Sequence, residues 1–326
     1  MMIVGRFSFC DFQTIQEAVH YIERHFSEET DWVTLYILEG VYQERIVIKQ
    51  SNISLIGLGH VIISNGAYAK QRDKEGHEIG TFETATLYLD GKNVHFENLT
   101  IENTAGQGKD IGQAVALYAN CDDSTFKNCR LLGHQDTLFT SPLPDKKKDG
   151  SLFLNKRPTH SKYHQYYDNC FIEGTVDFIF GGATAYFNRC VIKSKEREEK
   201  ALPGYITAAS TPKGQAYGFI FNQCVIMSEN LEKSVYLGRP WRPYAKVRFQ
   251  KCKMDDSIHI DRWHDWGSKA NRKTVTFEEF QTVQNQDILA DYLMDWTVYS
   301  SQKHMVEPEN IFSTEFYTQM ERRSRI

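Results

Sequence analysis

Two aspartates occupy the same position in a repeated stretch of the chain. Asp136 lies seven residues after Cys129, and Asp177 lies seven residues after Cys170. If the two stretches are neighbouring coils of one parallel sheet, about 4.8 Å apart, their carboxyl groups stack. Two carboxylates that close do not both ionise readily, so the pKa of one should rise. Such a pair can supply a nucleophile or base beside a general acid; two aspartates that only cap turns are the alternative.

An arginine and two glutamines complete a candidate catalytic set. Arg239 lies between a glycine and a proline, in a segment typical of a turn. A bidentate contact from its guanidinium would lower the pKa of the aspartate that it meets. Trp241 either presents a flat face to a sugar ring or packs in the core. Gln135, next to Asp136, and Gln113, on the preceding coil, are neutral hydrogen-bond donors for a developing anion.

The cysteines form a sequence repeat. In five copies an aromatic residue stands three positions before a cysteine, and an aliphatic residue or methionine stands two positions after it. The cysteines are Cys129, Cys170, Cys190, Cys224 and Cys252. An earlier copy has Leu99 in the cysteine position. One short strand per copy at unequal steps indicates a solenoid with loops of different length. The sequence therefore predicts an all-β fold, a right-handed parallel β-helix with the thiols in an interior ladder. Disulfide pairing is the alternative, since free thiols suit a reducing compartment.

Both ends of the solenoid are predicted to be closed by helices. Apolar residues at helical spacing follow a capping box at Thr14–Glu17, and this N-terminal helix would cover the first coil. A second helix-like segment begins at Thr276, and residues 270–326 are predicted to be helices and tail. No linker composition divides the chain. We therefore expect residues 1–326 to form one domain, with the motif-bearing solenoid over 11–266.

Composition excludes several classes of protein. The 38 Lys and Arg nearly balance 42 Asp and Glu, so a basic nucleic-acid surface is not expected. The sequence contains no run of 18 apolar residues, so it does not predict a membrane-spanning helix. The start of the chain lacks a basic stretch followed by a long apolar stretch, as a secretory signal would have. We expect a cytoplasmic monomer, or an extracellular one if the chain has been trimmed.

Eight ordered motifs resemble those of the pectin methylesterase (pectinesterase) family, in its bacterial type. They are Phe12–Val19, Gly40–Glu44, Gly80–Thr86, Asn98–Gly106, Gln113–Leu117, Gln135–Leu138, Gly174–Gly181 and Leu237–Trp241. The resemblance implies a right-handed β-helix that removes methyl esters from galacturonate units of homogalacturonan or of oligogalacturonides, releasing methanol. It implies neither a metal nor another cofactor.

The resemblance also implies roles for individual residues. By motif position, Asp177 is the nucleophile, Asp136 the general acid and then base, and Arg239 the partner of Asp177. Gln113 and Gln135 would form the anion hole. The expected substrate contacts are Thr81, Trp241, Trp263, Phe139 and Phe180.

The chain departs from the family pattern between the two aspartates. Residues 141–165 are longer than the usual connection and contain Lys146–Lys148, Pro142, Pro144 and Pro158. Because this insertion leaves one catalytic coil and returns to the next, it should wall off one end of the groove, where its lysines attract free carboxylates. We expect a higher kcat/KM on short methylated oligogalacturonides than on pectin. A solvated loop of no consequence is the alternative. Ala208–Thr211 replaces a Gln-Gly-Arg segment of many members, which leaves subsite specificity open.

Two other functions stay open at this point. A β-helix glycoside hydrolase would place two carboxyl groups across a glycosidic bond, and a pectate lyase would use a Ca²⁺ site built from several carboxylates. A non-catalytic solenoid could bind glycan or protein. The aspartate pair with arginine and glutamine suits acyl chemistry better than either.

Overall fold

The computed structural model describes residues 1–28, 30–147, 149–153, 159–230, 232–284, 296–299 and 304–323. Short strands follow one another around a triangular cross-section, and every pairing between the strands of the described residues is parallel. The fold is a right-handed parallel β-helix, which confirms the predicted class. The single-domain assignment of residues 1–326 stays a prediction.

Three strand ladders form the three faces of the solenoid. The first face contains β1 (Met2–Val4), β2 (Val33–Gln43), β4 (Ile53–Asn65), β6 (Val94–Asn103), β8 (Ser124–Lys127), β11 (His164–Asp168), β14 (Thr184–Asn188), β17 (Phe219–Asn222), β20 (Lys246–Gln250), β22 (Thr276–Phe280) and β24 (Val298–Tyr299). The second contains β9 (Arg130–Leu132), β12 (Phe171–Gly174), β15 (Val191–Ser194), β18 (Val225–Ser228), β21 (Lys253–Met254) and β23 (Val283–Gln284). The third contains β3 (Ile46–Ile48), β5 (Leu87–Leu89), β7 (Leu117–Ala119), β10 (Leu138–Thr140), β13 (Ile179–Gly181), β16 (Gly204–Ala209) and β19 (Val235–Pro240).

A left-handed residue turns the chain between the first and second faces of each coil. It directly precedes the cysteine or leucine of the repeat, at Asn98, Asn128, Asn169, Arg189, Gln223 and Lys251. Asparagine tolerates this conformation better than most residues. The asparagines also stack, because Asn169 donates to Asn128 over 2.8 Å and Asn128 donates to Asn98 over 3.3 Å. The repeat therefore encodes one corner of the solenoid.

The repeated aromatic residues stack inside the solenoid, one ring per coil. The ring-centre distances run from 5.5 Å between Phe96 and Phe126 to 4.4 Å between Phe221 and Phe249. The repeat cysteines are buried beside this stack, and the sulfur of Cys170 lies 3.3 Å from the carbonyl oxygen of Phe126. The interior ladder predicted from the repeat is confirmed.

The predicted N-terminal cap is present. Helix α1 (Ile15–His25) begins at Thr14, whose hydroxyl accepts a hydrogen bond from the backbone N–H of Glu17 over 3.2 Å. The carboxylate of Glu44 accepts from two further N–H groups of the first turn. The apolar side of α1 is fully buried against the first coil.

The C-terminal expectation is wrong at its start. Residues Thr276–Phe280 are strand β22 and not a helix, because they pair with the free edge of β20 and bury Phe277 under the aromatic stack. Three-residue 3-10 turns lie at Thr81–Glu83, Asn271–Lys273 and Pro308–Asn310. The tail does contain one α-helix, α2 (Thr314–Arg323), which packs on the outside of the first face through Phe316. Neither helix in the described part of the chain could cross a membrane.

All seven cysteines are free, and all except Cys10 are buried. We therefore expect seven thiols to react with a thiol reagent in denaturant without prior reduction. In the native protein Cys10 should react well before the others, because burial excludes the reagent from the ladder. A count below seven in denaturant would mean that a disulfide forms, contrary to this arrangement.

Candidate active site

Two stacked turns present the aspartates at the edge of the third face. Strands β10 and β13 pair with Leu138 opposite Ile179, which puts Asp136 and Asp177 in the same register. The backbone N–H of Asp136 donates to the carbonyl oxygen of Val176 over 3.1 Å. Both aspartates have positive φ angles, 66° and 50°, so each lies at the tip of a tight turn. The prediction that equal spacing from the cysteines brings them onto neighbouring coils is confirmed.

Close packing between the two turns requires a glycine. A Cβ atom at Gly174 would lie 2.5 Å from the carbonyl oxygen of His134 and would overlap the side chain of Phe178. The glycine also lets the N–H of Thr175 donate to that carbonyl over 2.9 Å. The two turns are thereby fastened to each other just before the aspartates.

Asp177 and Arg239 form a bidentate ion pair. Arg239 Nε lies 2.8 Å from one carboxylate oxygen and Nη2 lies 2.7 Å from the other. Both side chains are largely buried, so the pair is stronger than one exposed to water. Arg239 pairs in register with Ala208, and Ala208 with Phe180. Arg239 and Asp177 therefore come from different coils.

Two aromatic rings enclose the guanidinium of Arg239. Its central carbon lies 3.8 Å from the ring centre of Tyr205 and 3.9 Å from that of Trp266. Burial alone would lower the pKa of Arg239, but its hydrogen bonds to Asp177 raise it above the ordinary value. The arginine is therefore charged and fixed in orientation.

The two aspartates differ in electrostatic environment. Burial raises the pKa of Asp136 well above its ordinary value, and the charge of Asp177 raises it further, while Arg239 partly opposes both effects. Arg239 bonds directly to Asp177 and not to Asp136. The ion pair with Arg239 therefore favours the charged form of Asp177, while burial favours the protonated form of Asp136.

The aspartates open onto a cleft of about 330 Å³. Eight of the ten predicted site residues line it: Thr81, Gln113, Gln135, Asp136, Asp177, Phe180, Arg239 and Trp241. Gln113 and Gln135 belong to successive coils, since the N–H of Ala114 donates to the carbonyl oxygen of Gln135 over 3.1 Å. A second cleft of about 300 Å³ begins on the other side of these glutamines. The catalytic pair therefore lies beside two clefts that share Gln113 and Gln135.

Two predicted substrate contacts are wrong. Trp263 is 1% exposed and stacks on Phe277 inside the last coils, with ring centres 4.4 Å apart. Phe139 is fully buried under Phe82, Tyr118 and Trp241, so it supports the floor of the cleft without reaching it.

Trp266, three positions after Trp263, lines the cleft in its place. Spacing could not distinguish them, because a left-handed turn at Trp266 reverses the side on which that ring lies. Sequence reasoning also missed Phe82, next to the predicted Thr81, and Tyr205, which reaches the site only through Arg239.

The insertion reaches the cleft as expected. Its residues Lys146 and Leu152 form an antiparallel bridge, and we call residues 146–152 the hairpin. Lys148 of the hairpin and Pro158 of the insertion lie outside the described residues. Lys147 of the hairpin lines the cleft beside Thr81 and Phe82, as does Phe153, the residue directly after the hairpin. The ring of Phe153 packs edge-on against that of Phe82, with centres 5.7 Å apart.

Two clusters in the described chain have side chains suited to a cation. They are Asp73, Glu75 and His77, and Asp122, Asp123 and His164. Neither cluster contributes a residue to the cleft. The cleft itself is lined by carboxyl, amide, guanidinium and ammonium groups and by aromatic rings.

The raised pKa of Asp136 has a consequence for stability. Between the ordinary pKa of an aspartate, about 3.9, and the raised value in the folded state, the unfolded chain releases this proton more readily, so stability falls as pH rises. Asp136→Asn stays neutral at every pH. We expect this variant to melt a few degrees above the wild type at pH 7 and at the same temperature near pH 3.

The exposed Asp256→Asn is a matched control that should change the melting temperature little at either pH. Melting followed by circular dichroism measures both. An Asp136→Asn variant that is no more stable than the wild type at pH 7 would contradict a protonated Asp136.

Comparison with known proteins identifies the family. The pectinesterase family model matches residues 1–144 and 157–319. The chain is 31% identical over 280 residues to pectinesterase 31 of Arabidopsis thaliana, covering 83% of this chain and 78% of that protein. It is 30% identical to the longer probable pectinesterase/pectinesterase inhibitor 64 of the same plant, covering 91% of this chain but 47% of that protein.

The fold is shared with a solved enzyme. The structure of pectin methylesterase from carrot superimposes with a TM-score of 0.75 at 26% identity, covering 92% of this chain and 88% of that one. The gap in the family match, residues 145–156, contains the whole hairpin. With its β-helix, its stacked aspartates and these matches, the chain belongs to the pectinesterase family of carboxylic ester hydrolases.

Proposed function

We propose that this chain removes methyl esters from galacturonate units with Asp177 as nucleophile and Asp136 as general acid and base. The observation that carries the proposal is the unequal environment of two stacked aspartates in one cleft. Asp177 is held by two hydrogen bonds from Arg239, while burial keeps a proton on Asp136. One group is thus ready to attack and the other to donate a proton.

In the first step, a carboxylate oxygen of Asp177 attacks the ester carbonyl carbon. Negative charge develops on the carbonyl oxygen, where the side-chain amides of Gln113 and Gln135 donate hydrogen bonds. The bond to the methoxy oxygen breaks, and Asp136 gives that oxygen its proton, so methanol leaves. The product of this step is an anhydride between Asp177 and the galacturonate.

In the second step, Asp136 is a carboxylate and accepts a proton from water as the water attacks the anhydride. The bond from Asp177 to the acyl carbon breaks, which restores its carboxylate and releases a galacturonate with a free carboxyl group. Arg239 stabilises Asp177 as it regains its charge. Asp136 is again protonated, so the site returns to its starting state.

The geometry favours acyl transfer over cleavage of the glycosidic bond. A glycoside hydrolase needs its two carboxyl groups on opposite sides of the bond. Here both aspartates stand on neighbouring coils of one wall of the cleft.

Localisation and substrate length are part of the proposal. Seven free cysteines support a reducing, cytoplasmic setting. Polymeric pectin does not cross a membrane, so the substrate there would be short methylated oligogalacturonides, and the hairpin at the end of the cleft suits short chains.

Substitution of the aspartates tests the assigned roles. Asp177→Ala and Asp177→Asn should both release methanol from methylated pectin at less than a few per cent of the wild-type rate, because neither has a nucleophilic carboxylate. Asp136→Asn should lose about 10²–10⁴ in kcat, as is typical when a general acid is removed. Substantial turnover by either Asp177 variant would contradict the mechanism.

We expect the ring of Tyr205 to affect catalysis only through its contact with Arg239. Tyr205 is buried and is absent from the cleft lining, so it is a positioning residue. Tyr205→Leu removes one face of the enclosure of Arg239 and should lower kcat roughly tenfold while leaving KM nearly unchanged. The acidic limb of the pH profile should move to higher pH, because a less firmly paired Asp177 protonates more readily.

Tyr205→Phe keeps the ring and is the matched control. Its pH profile should lie close to that of the wild type. An unmoved acidic limb in Tyr205→Leu would mean that the ring does not support the ion pair.

A further inference from the structure

The cleft contains more positive charge than its catalytic chemistry uses. The charged residues of its lining are Asp136, Asp177, Arg239, Lys147 and Arg242. Asp177 and Arg239 neutralise each other, and burial keeps Asp136 protonated. Lys147 and Arg242 remain as two cations. Among the described residues neither makes an ion pair with a carboxylate.

Arg242 joins the hairpin to the catalytic face. Its Nη1 donates to the carbonyl oxygen of Trp241 over 2.8 Å, and its Nη2 donates to the carbonyl oxygen of Lys146 over 3.0 Å. The guanidinium lies 4.8 Å from the ring centre of Trp241. Burial lowers the pKa of Arg242, which shows that part of its hydration is lost. Its interaction with an incoming anion is strengthened for the same reason.

Lys147 is held next to the same opening. Its backbone N–H donates to the carbonyl oxygen of Ser151 over 2.7 Å, and its carbonyl oxygen accepts from Gly150 over 3.1 Å. Its ammonium lies 5.9 Å from the ring centre of Phe153. Asp149, a carboxylate of the hairpin, accepts hydrogen bonds from the N–H and hydroxyl of Ser151. These bonds lower the pKa of Asp149, and the nearby charge of Lys147 lowers it further without a direct ion pair.

The cleft on the other side of the anion-hole glutamines has a smaller excess of positive charge. There Glu198 and Glu199 accompany Lys70, Lys109 and Arg197. Two of the three cations are balanced by these carboxylates, so that side discriminates less strongly between a neutral and a charged sugar.

We propose that Lys147 and Arg242 form a subsite for the free carboxylate of a galacturonate unit near the methylated unit being hydrolysed. This inference rests on the proposed function. A methyl ester is neutral and its hydrolysis product is an anion, so charge distinguishes the two most strongly. The chain then selects partly de-esterified substrates, and a carboxylate that it releases favours attack on a nearby ester of the same molecule.

Binding of the fully de-esterified product tests the subsite without turnover. In calorimetric titrations with hexagalacturonate, Lys147→Met should bind about tenfold more weakly than the wild type at low salt, and Lys147→Arg should bind like it. Lys253→Met, at an exposed lysine of β21, is the matched control and should bind like the wild type. The difference should shrink as salt screens the charges.

Kinetics give the second measurement. The wild type should show a higher kcat/KM for methanol release from partly de-esterified than from fully methylated hexagalacturonate, and Lys147→Met should bring this ratio close to one. Equal affinity of the wild type and Lys147→Met for hexagalacturonate, or an unchanged ratio, would overturn the subsite. Absence of methanol release from both substrates would contradict the proposed function, while the titration still decides the subsite.

Discussion

The pairing of β10 with β13 is the constraint on which the site depends. Because Leu138 lies opposite Ile179, the turns that precede these strands stack, and two aspartates far apart in sequence share one wall. A shift by one residue would reverse which side chains face the interior and which face the cleft. The interior ladders of thiols and aromatic rings resist such a shift, since each coil from Phe96 to Phe249 buries its own ring against the next. The core therefore sets catalytic geometry from a distance.

Stacking alone would give two equivalent carboxyl groups, and the difference between them comes from a third coil. Arg239 reaches Asp177 from β19 and leaves Asp136 to its apolar surroundings. Its enclosure by Tyr205 and Trp266 restricts the guanidinium to one orientation. The small residue Ala208 lies in register between Phe180 and Arg239. Acid and nucleophile are thus distinguished by packing as much as by charge.

The sequence predicted those features that repeat with the coil. Counting from the cysteines found Asp136 and Asp177, and the aromatic spacing found the interior stack. It failed where a side chain's direction depends on a single irregular turn, as at Trp263 and Trp266. It also failed at Thr276, where apolar spacing fits a helix, but the open edge of β20 supplies hydrogen-bond partners for a strand. Neither tertiary constraint leaves a local signal.

A solenoid tolerates insertions at its corners, because each coil contacts only its neighbours. Which corner carries the insertion decides whether it affects function. Residues 141–165 leave the solenoid directly after β10. The turn before the same strand contains Asp136, so the hairpin lies beside the cleft. An equally long loop at the corner of the stacked asparagines would lie on another side of the solenoid. Loops on either side of the third face can thus vary substrate choice, while the register of that face keeps the chemistry constant.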